Sequence, residues 1–255
     1  MKMQIGAQLY TVRDFCRDLD GFESTLAQLS SMGFRSVQVS GTCAYQPEWL
    51  AEKLDKFSLI CPLTHFNTDR ILSETDAVID AHRKFGCKNI GIGGMPDEFR
   101  GASDGAKRFS DKFMPAAKRM NERGGKLMYH NHAFEFQKFD GKTVLEKISE
   151  LFPNDLLNFT LDTYWVQAGG GDAVEWLKKL SGRTECIHLK DMAYDGKSAV
   201  YAPVYEGNMN YDAIISTADS LGVKHAFIEQ DECYGVDPFK CLEKSLNNIM
   251  KANIR

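Results

Sequence analysis

Short β-like runs alternate with amphipathic helical stretches along the whole 255-residue chain, and no other feature narrows the accessible folds as much. Strand candidates fall at 3–9, 34–40, 58–65, 88–93, 126–132, 157–162, 185–190 and 225–230. Helical candidates fall between them at 20–32, 46–56, 71–84, 104–122, 142–151, 172–180, 209–221 and 237–251. Parallel strands need a long crossover, usually a helix, so this alternation predicts βα units stacked around a parallel sheet. Eight such repeats fit a closed α/β (β/α)8 TIM barrel, one domain over residues 1–255, better than an open doubly wound sheet.

The punctuation agrees. Met32-Gly33 and Leu221-Gly222 place a glycine where a helix should end. Asp20 offers an N-cap for the first helix and Pro47 lies in the first turn of the second. Gly91-Ile92-Gly93-Gly94 lacks the G-x-G-x-x-G spacing, and no P-loop pattern occurs, so nucleotide-binding readings fail. Gly169-Gly170-Gly171 gives the backbone room to turn into a helix at Asp172.

Composition excludes several classes. A net charge of -4 without a Lys/Arg block disfavours nucleic-acid binding. The seven cysteines are irregularly spaced with no C-x-x-C, which argues for reduced thiols and against a disulfide framework or thiolate metal site. The sequence enters a strand-like run at Met1-Lys2-Met3 without a signal-peptide core, and no stretch of about 18 apolar residues suggests a membrane span. These features predict a cytoplasmic protein with no membrane partner, and leave a homo-oligomer open.

Function in such a barrel is built at the C-terminal ends of the strands. Strand one ends Gln8-Leu9-Tyr10, strand two Gln38-Val39-Ser40, and strand three Thr64-His65. Strand five ends His130-Asn131-His132 with Glu135 close behind; strand six ends Leu161-Asp162-Thr163-Tyr164-Trp165. Strand seven ends His188-Leu189-Lys190, and strand eight Ile228-Glu229-Gln230-Asp231. Alternation puts His188 and Lys190 on one face and Leu189 and Asp191 on the other. Strands five to eight thus deliver His, Asp, His and Glu to one rim. That mixed nitrogen and oxygen set suits Mn²⁺, Co²⁺, Zn²⁺ or Mg²⁺ and not a thiolate-loving ion.

These strand ends resemble the xylose isomerase-like superfamily of sugar isomerases and epimerases, which includes ketose 3-epimerases, inosose dehydratases and, more distantly, endonuclease IV. The resemblance runs from Ile5-Gly6-Ala7-Gln8-Leu9-Tyr10 to Asp237-Pro238, and its most specific pieces are Leu161-Asp162-Thr163, Ile187-His188-Leu189-Lys190-Asp191 and Ile228-Glu229-Gln230-Asp231. It implies that Asp162, His188 and Glu229 are divalent-metal ligands. Where the family's epimerases usually carry a Glu at the end of strand five, this chain has His130, which leaves either His130 or Glu135 as the fourth ligand. It also keeps only Glu229 of the two metal-bound glutamates that exchange protons on opposite substrate faces.

The chemistry expected is proton abstraction α to a ketose carbonyl through a metal-stabilised enediolate. Glu229 is the expected base, with a carboxyl raised by burial. Lys190 would bind a hydroxyl or developing oxyanion, and His132 or Glu135 would be the second acid/base. Gln8, Tyr10, His65, Trp165 and Glu206 are rim candidates for contacts to a small-molecule sugar, expected to be unphosphorylated. The alternative is a lyase, dehydratase or deglycosidase that expels a β-substituent from a 3-keto sugar or inosose. A metal-free sugar-binding barrel is the rival outside enzymology. An endonuclease IV-like role is disfavoured by the charge and by only six histidines.

Overall fold

The computed structural model describes residues 3–252; Met1, Lys2 and the last three residues lie outside it, and with them the start of the N-terminal reading. Eight parallel strands close into a barrel: β1 Gln4–Gln8, β2 Ser36–Val39, β3 Ile60–His65, β4 Asn89–Ile92, β5 Lys126–His130, β6 Leu157–Asp162, β7 Thr184–Leu189 and β8 His225–Ile228. They follow one another around the barrel in chain order, with β8 pairing back onto β1. All eight expected strands are present, and closure leaves the barrel without a free edge.

The helices form the outer layer: α1 Leu19–Ser31, α2 Pro47–Lys56, α3 Thr68–Ser73, α4 Thr75–Lys84, α5 Gly105–Glu122, α6 Val144–Leu151, α7 Thr163–Ala168, α8 Ala173–Lys179, α9 Tyr211–Ser220 and α10 Pro238–Ala252. Three details differ from the sequence reading. The stretch expected as one helix at 71–84 is two, broken at Glu74, whose ψ of 34° interrupts the α-helical repeat. The first helix is capped by Asp18, not Asp20; the Asp18 carboxylate accepts the Gly21 N–H at 2.8 Å. The six-residue α7 was not foreseen, because it follows β6 with no intervening loop. None of the described helices is long and apolar enough to cross a membrane.

The core has two parts. The larger lies between sheet and helices, and a separate cluster of Leu63, Met128, Cys186 and Phe227 fills the barrel interior. Two residues further along the same strands come His65, His130, His188 and Glu229, since alternate side chains share a face. The strand period therefore stacks a polar layer on an apolar plug. Gly6 makes room for that plug: a Cβ there would stand 2.8 Å from the Phe227 ring.

Beyond β7 the chain forms a two-stranded ribbon, Asp191–Tyr194 against Ala199–Ala202. Asp191 is fully buried beneath it and accepts backbone N–H bonds from Met192, Tyr205, Gly207 and Met209. Gly207 is required by this packing, because a Cβ would lie 2.3 Å from Asp191 Oδ1. One carboxylate thus ties the whole β7–α9 connection to the strand end.

Candidate metal centre

Register explains why distant residues meet. Asp162 pairs with His188 across β6 and β7, and Leu189 pairs with Ile228 across β7 and β8, which brings Lys190 beside Glu229. One ligand atom from each of His130, Asp162, His188 and Glu229 lies within 4.8 Å of every other, and all four residues are buried. Asp162 Oδ2 stands 3.3 Å from His130 Nε2 and 3.6 Å from His188 Nδ1. Its Oδ1 accepts the Trp165 N–H at 2.9 Å and so caps α7. The carboxylate is fixed by the helix that follows it.

The imidazoles are oriented from behind. His130 Nδ1 lies 3.0 Å from the Gly93 carbonyl, and His188 Nε2 lies 2.7 Å from Gln38 Oε1. These contacts leave His130 Nε2 and His188 Nδ1 turned toward the carboxylates. His188 Nδ1 is 2.9 Å from Glu229 Oε2, yet off the line that an N–H bond would take, and that oxygen's other polar neighbour is the Lys190 ammonium at 2.9 Å. A buried nitrogen and a carboxylate oxygen facing each other this way is the donor arrangement that a divalent cation satisfies. The residues therefore fit such an ion.

Lys190 closes the group. Its ammonium is 1% exposed and sits 3.1 Å from Asp162, 2.9 Å from Glu229 and 3.0 Å from Asp231. Burial opposes its charge, but the three carboxylates outweigh burial and hold the ammonium well above its ordinary value. Burial likewise works against ionisation of Asp162 and Glu229, yet Lys190 and the histidines hold both carboxyls low. The raised Glu229 carboxyl expected from its burial is thus corrected: the neighbouring ammonium decides its direction. Burial also opposes charge on His188, whose imidazole is nonetheless lifted to about 9 by Glu229 and Asp162.

A cavity of about 420 Å³ opens above this group. Of the residues proposed from the sequence, Tyr10, His65, His132 and Trp165 line it, together with Lys190 and Glu229. His65 and His132 are kept neutral, first by burial and then by the neighbouring imidazoles; His132 falls to about 3. Asp231, which had not been singled out, also lines the cavity and holds Lys190; its position two residues after Glu229 was the available signal. A groove of similar size between α8, α9 and the ribbon contains no member of the ligand group.

Three expected site residues lie elsewhere. Gln8 is fully buried and accepts its own Tyr10 N–H, so it does not line the cavity. Glu206 pairs with Lys244 on the outer side of the β7–α9 connection. Glu135 is buried away from the group, accepting the Tyr129 hydroxyl at 2.6 Å and the His132 N–H at 2.8 Å. It is neither a fourth ligand nor a second acid/base in this arrangement, because Tyr129 faces the helices while His130 faces the interior.

Burial pushes the Glu135 carboxyl up to about 8, against an ordinary 4.5. Between those values the folded chain keeps a proton that the unfolded chain has lost, so stability falls as pH rises, by about 1.4 kcal/mol per unit. Glu135→Gln removes the titration and still fits: its amide oxygen accepts the His132 N–H while its NH2 donates to the Tyr129 oxygen. The variant should gain in melting temperature on wild type steadily from pH 5 to pH 8; parallel pH profiles would contradict this.

A closed barrel with buried His, Asp, His and Glu at the C-terminal rim defines a class of barrel able to seat a divalent cation. Residues 26–248 match the model of the xylose isomerase-like TIM barrel family, and the chain belongs to that family. It is similar to an inosose dehydratase from Clostridium perfringens, 24% identical over 192 residues. That match covers 67% of this chain and 64% of the relative, so part of the relative's length is unmatched. Among solved structures it is similar in fold to a sugar phosphate isomerase/epimerase from Parabacteroides distasonis, at TM-score 0.81 and 21% identity, covering 99% of this chain and 95% of that one. It also resembles a probable 3-DHS dehydratase from Bacillus anthracis, at TM-score 0.73 and 13% identity, covering 97% and 99%.

Proposed function

We propose that the protein is a divalent-metal-dependent sugar isomerase or epimerase that removes a proton α to the carbonyl of a ketose. The observation that carries this is the convergence of His130, Asp162, His188 and Glu229 beneath an open cavity. These four residues would hold Mn²⁺, Co²⁺, Zn²⁺ or Mg²⁺, which when bound would polarise the substrate carbonyl and its neighbouring hydroxyl. Glu229 takes the α-proton and delivers it to the neighbouring carbon in isomerisation, or His132 supplies a proton to the opposite face in epimerisation; the Lys190 ammonium stabilises the negative charge developing on the substrate oxygen, and Trp165 and Tyr10 pack against the sugar's C–H faces.

A second reading, β-elimination from a 3-keto sugar or inosose, is favoured by the placement of Glu135. With Glu135 bonded to Tyr129, no second glutamate among the described residues lines the cavity across from Glu229. His132 on the cavity wall would then hydrogen-bond the departing oxygen, and Glu229, having taken the α-proton, would pass it to that oxygen as the C–O bond breaks and the C=C bond forms. The similarity to an inosose dehydratase supports this reading. Unphosphorylated ketoses and inososes incubated with the protein and Mn²⁺ in D₂O should take up deuterium beside the carbonyl, with chelator abolishing uptake. Loss of water or aglycone would select elimination over isomerisation. No exchange on any of these compounds, or exchange indifferent to chelator, would sink the proposal.

A further inference from the structure

We infer that Gln38 is a positioning residue that decides which nitrogen His188 offers to the cation, an inference resting on the divalent-metal reading above. Gln38 comes from β2 and His188 from β7, strands that are not neighbours, so their 2.7 Å contact spans the barrel interior. Both side chains are fully buried. The amide oxygen accepts, so Nε2 keeps its proton, and Nδ1, which faces Glu229 and Asp162, is the nitrogen turned toward the cation. The strand end is fixed as well, since the Thr163 hydroxyl donates to the His188 carbonyl at 2.9 Å.

The chemistry of the acceptor matters. Asp162 and Glu229 already supply two negative charges, which match a divalent cation with two neutral imidazoles. An amide orients His188 without adding a third. The other end of the amide, Nε2, is buried with no hydrogen-bond partner. Leaving a buried donor unmade costs about 1–3 kcal/mol, so hydrogen-bond satisfaction of Gln38 itself does not account for its place; the contact to His188 does.

The test measures Co²⁺ alone, by calorimetry and by visible absorption of the bound ion, on wild type, Gln38→Leu and Gln38→Glu. Partners that orient a ligating histidine typically contribute about 10–100-fold in metal affinity. Gln38→Leu should lose affinity on that scale and shift the Co²⁺ spectrum, and Gln38→Glu, which restores an acceptor, should recover most of it. The melting temperature of the metal-free protein separates positioning from structure: the Co²⁺-induced rise should shrink in Gln38→Leu beyond any change in the metal-free value. Unchanged affinity in Gln38→Leu, or an equal loss in Gln38→Glu, would overturn the inference; if Gln38→Leu does not fold, Gln38→Glu alone decides. Wild type that takes up no Co²⁺ overturns the metal reading itself and this inference with it.

Discussion

Glu229→Gln is expected to fold normally and to lose at least about 10²–10⁴-fold in turnover, the range typical for removing a general base. The substitution keeps the shape of a side chain that is 4% exposed, at the end of a strand whose backbone is paired on both sides. What it removes is the charge facing Lys190 at 2.9 Å and His188 at 2.9 Å, together with the ability to accept a substrate proton. Circular dichroism should be unchanged, and deuterium exchange on the substrate should collapse. A variant that exchanges at the wild-type rate would mean that another residue is the base.

Lys190→Met should produce the largest loss of stability in the metal-free protein. It leaves Asp162, Glu229 and Asp231 close together with only the His188 imidazole to offset them, and breaking a buried charge group by removing one partner costs about 3–5 kcal/mol. For a chain of this size that is a fall in melting temperature on the order of 10 °C. Mn²⁺ should restore part of the loss if the carboxylates bind the ion, because it returns positive charge to the same place. A melting temperature unchanged by the substitution would show that the three acids are neutral or apart, against the geometry described.

The barrel was legible because its signal is repeated: eight strands each show a short apolar run, and alternation places His130, Asp162, His188 and Glu229 on the inward face without knowledge of contacts. Partners set by register or by loop paths were not legible. Nothing in the order of residues says that Glu135 turns back to Tyr129, since both the inward and outward directions lie within reach of a residue five positions past His130. Nor does it say that Lys190 is held by three acids; the direction of the Glu229 shift depends on that ammonium and was misjudged from burial alone. Gln38 was visible as a strand end, but its partner lies 150 residues away.

Asp191 separates what can vary from what cannot. It grips the β7–α9 connection only through backbone N–H groups, which every residue but proline supplies, with Gly207 the one donor where a side chain would strike the carboxylate; of the ribbon's own side chains Tyr201 adds a separate contact, its ring 4.5 Å from that of Tyr164, while Tyr194 is exposed. The exposed positions of the connection are consequently free to change while the fastening, one position past Lys190, stays put. Changes at those positions leave undisturbed the His188 that the same strand carries.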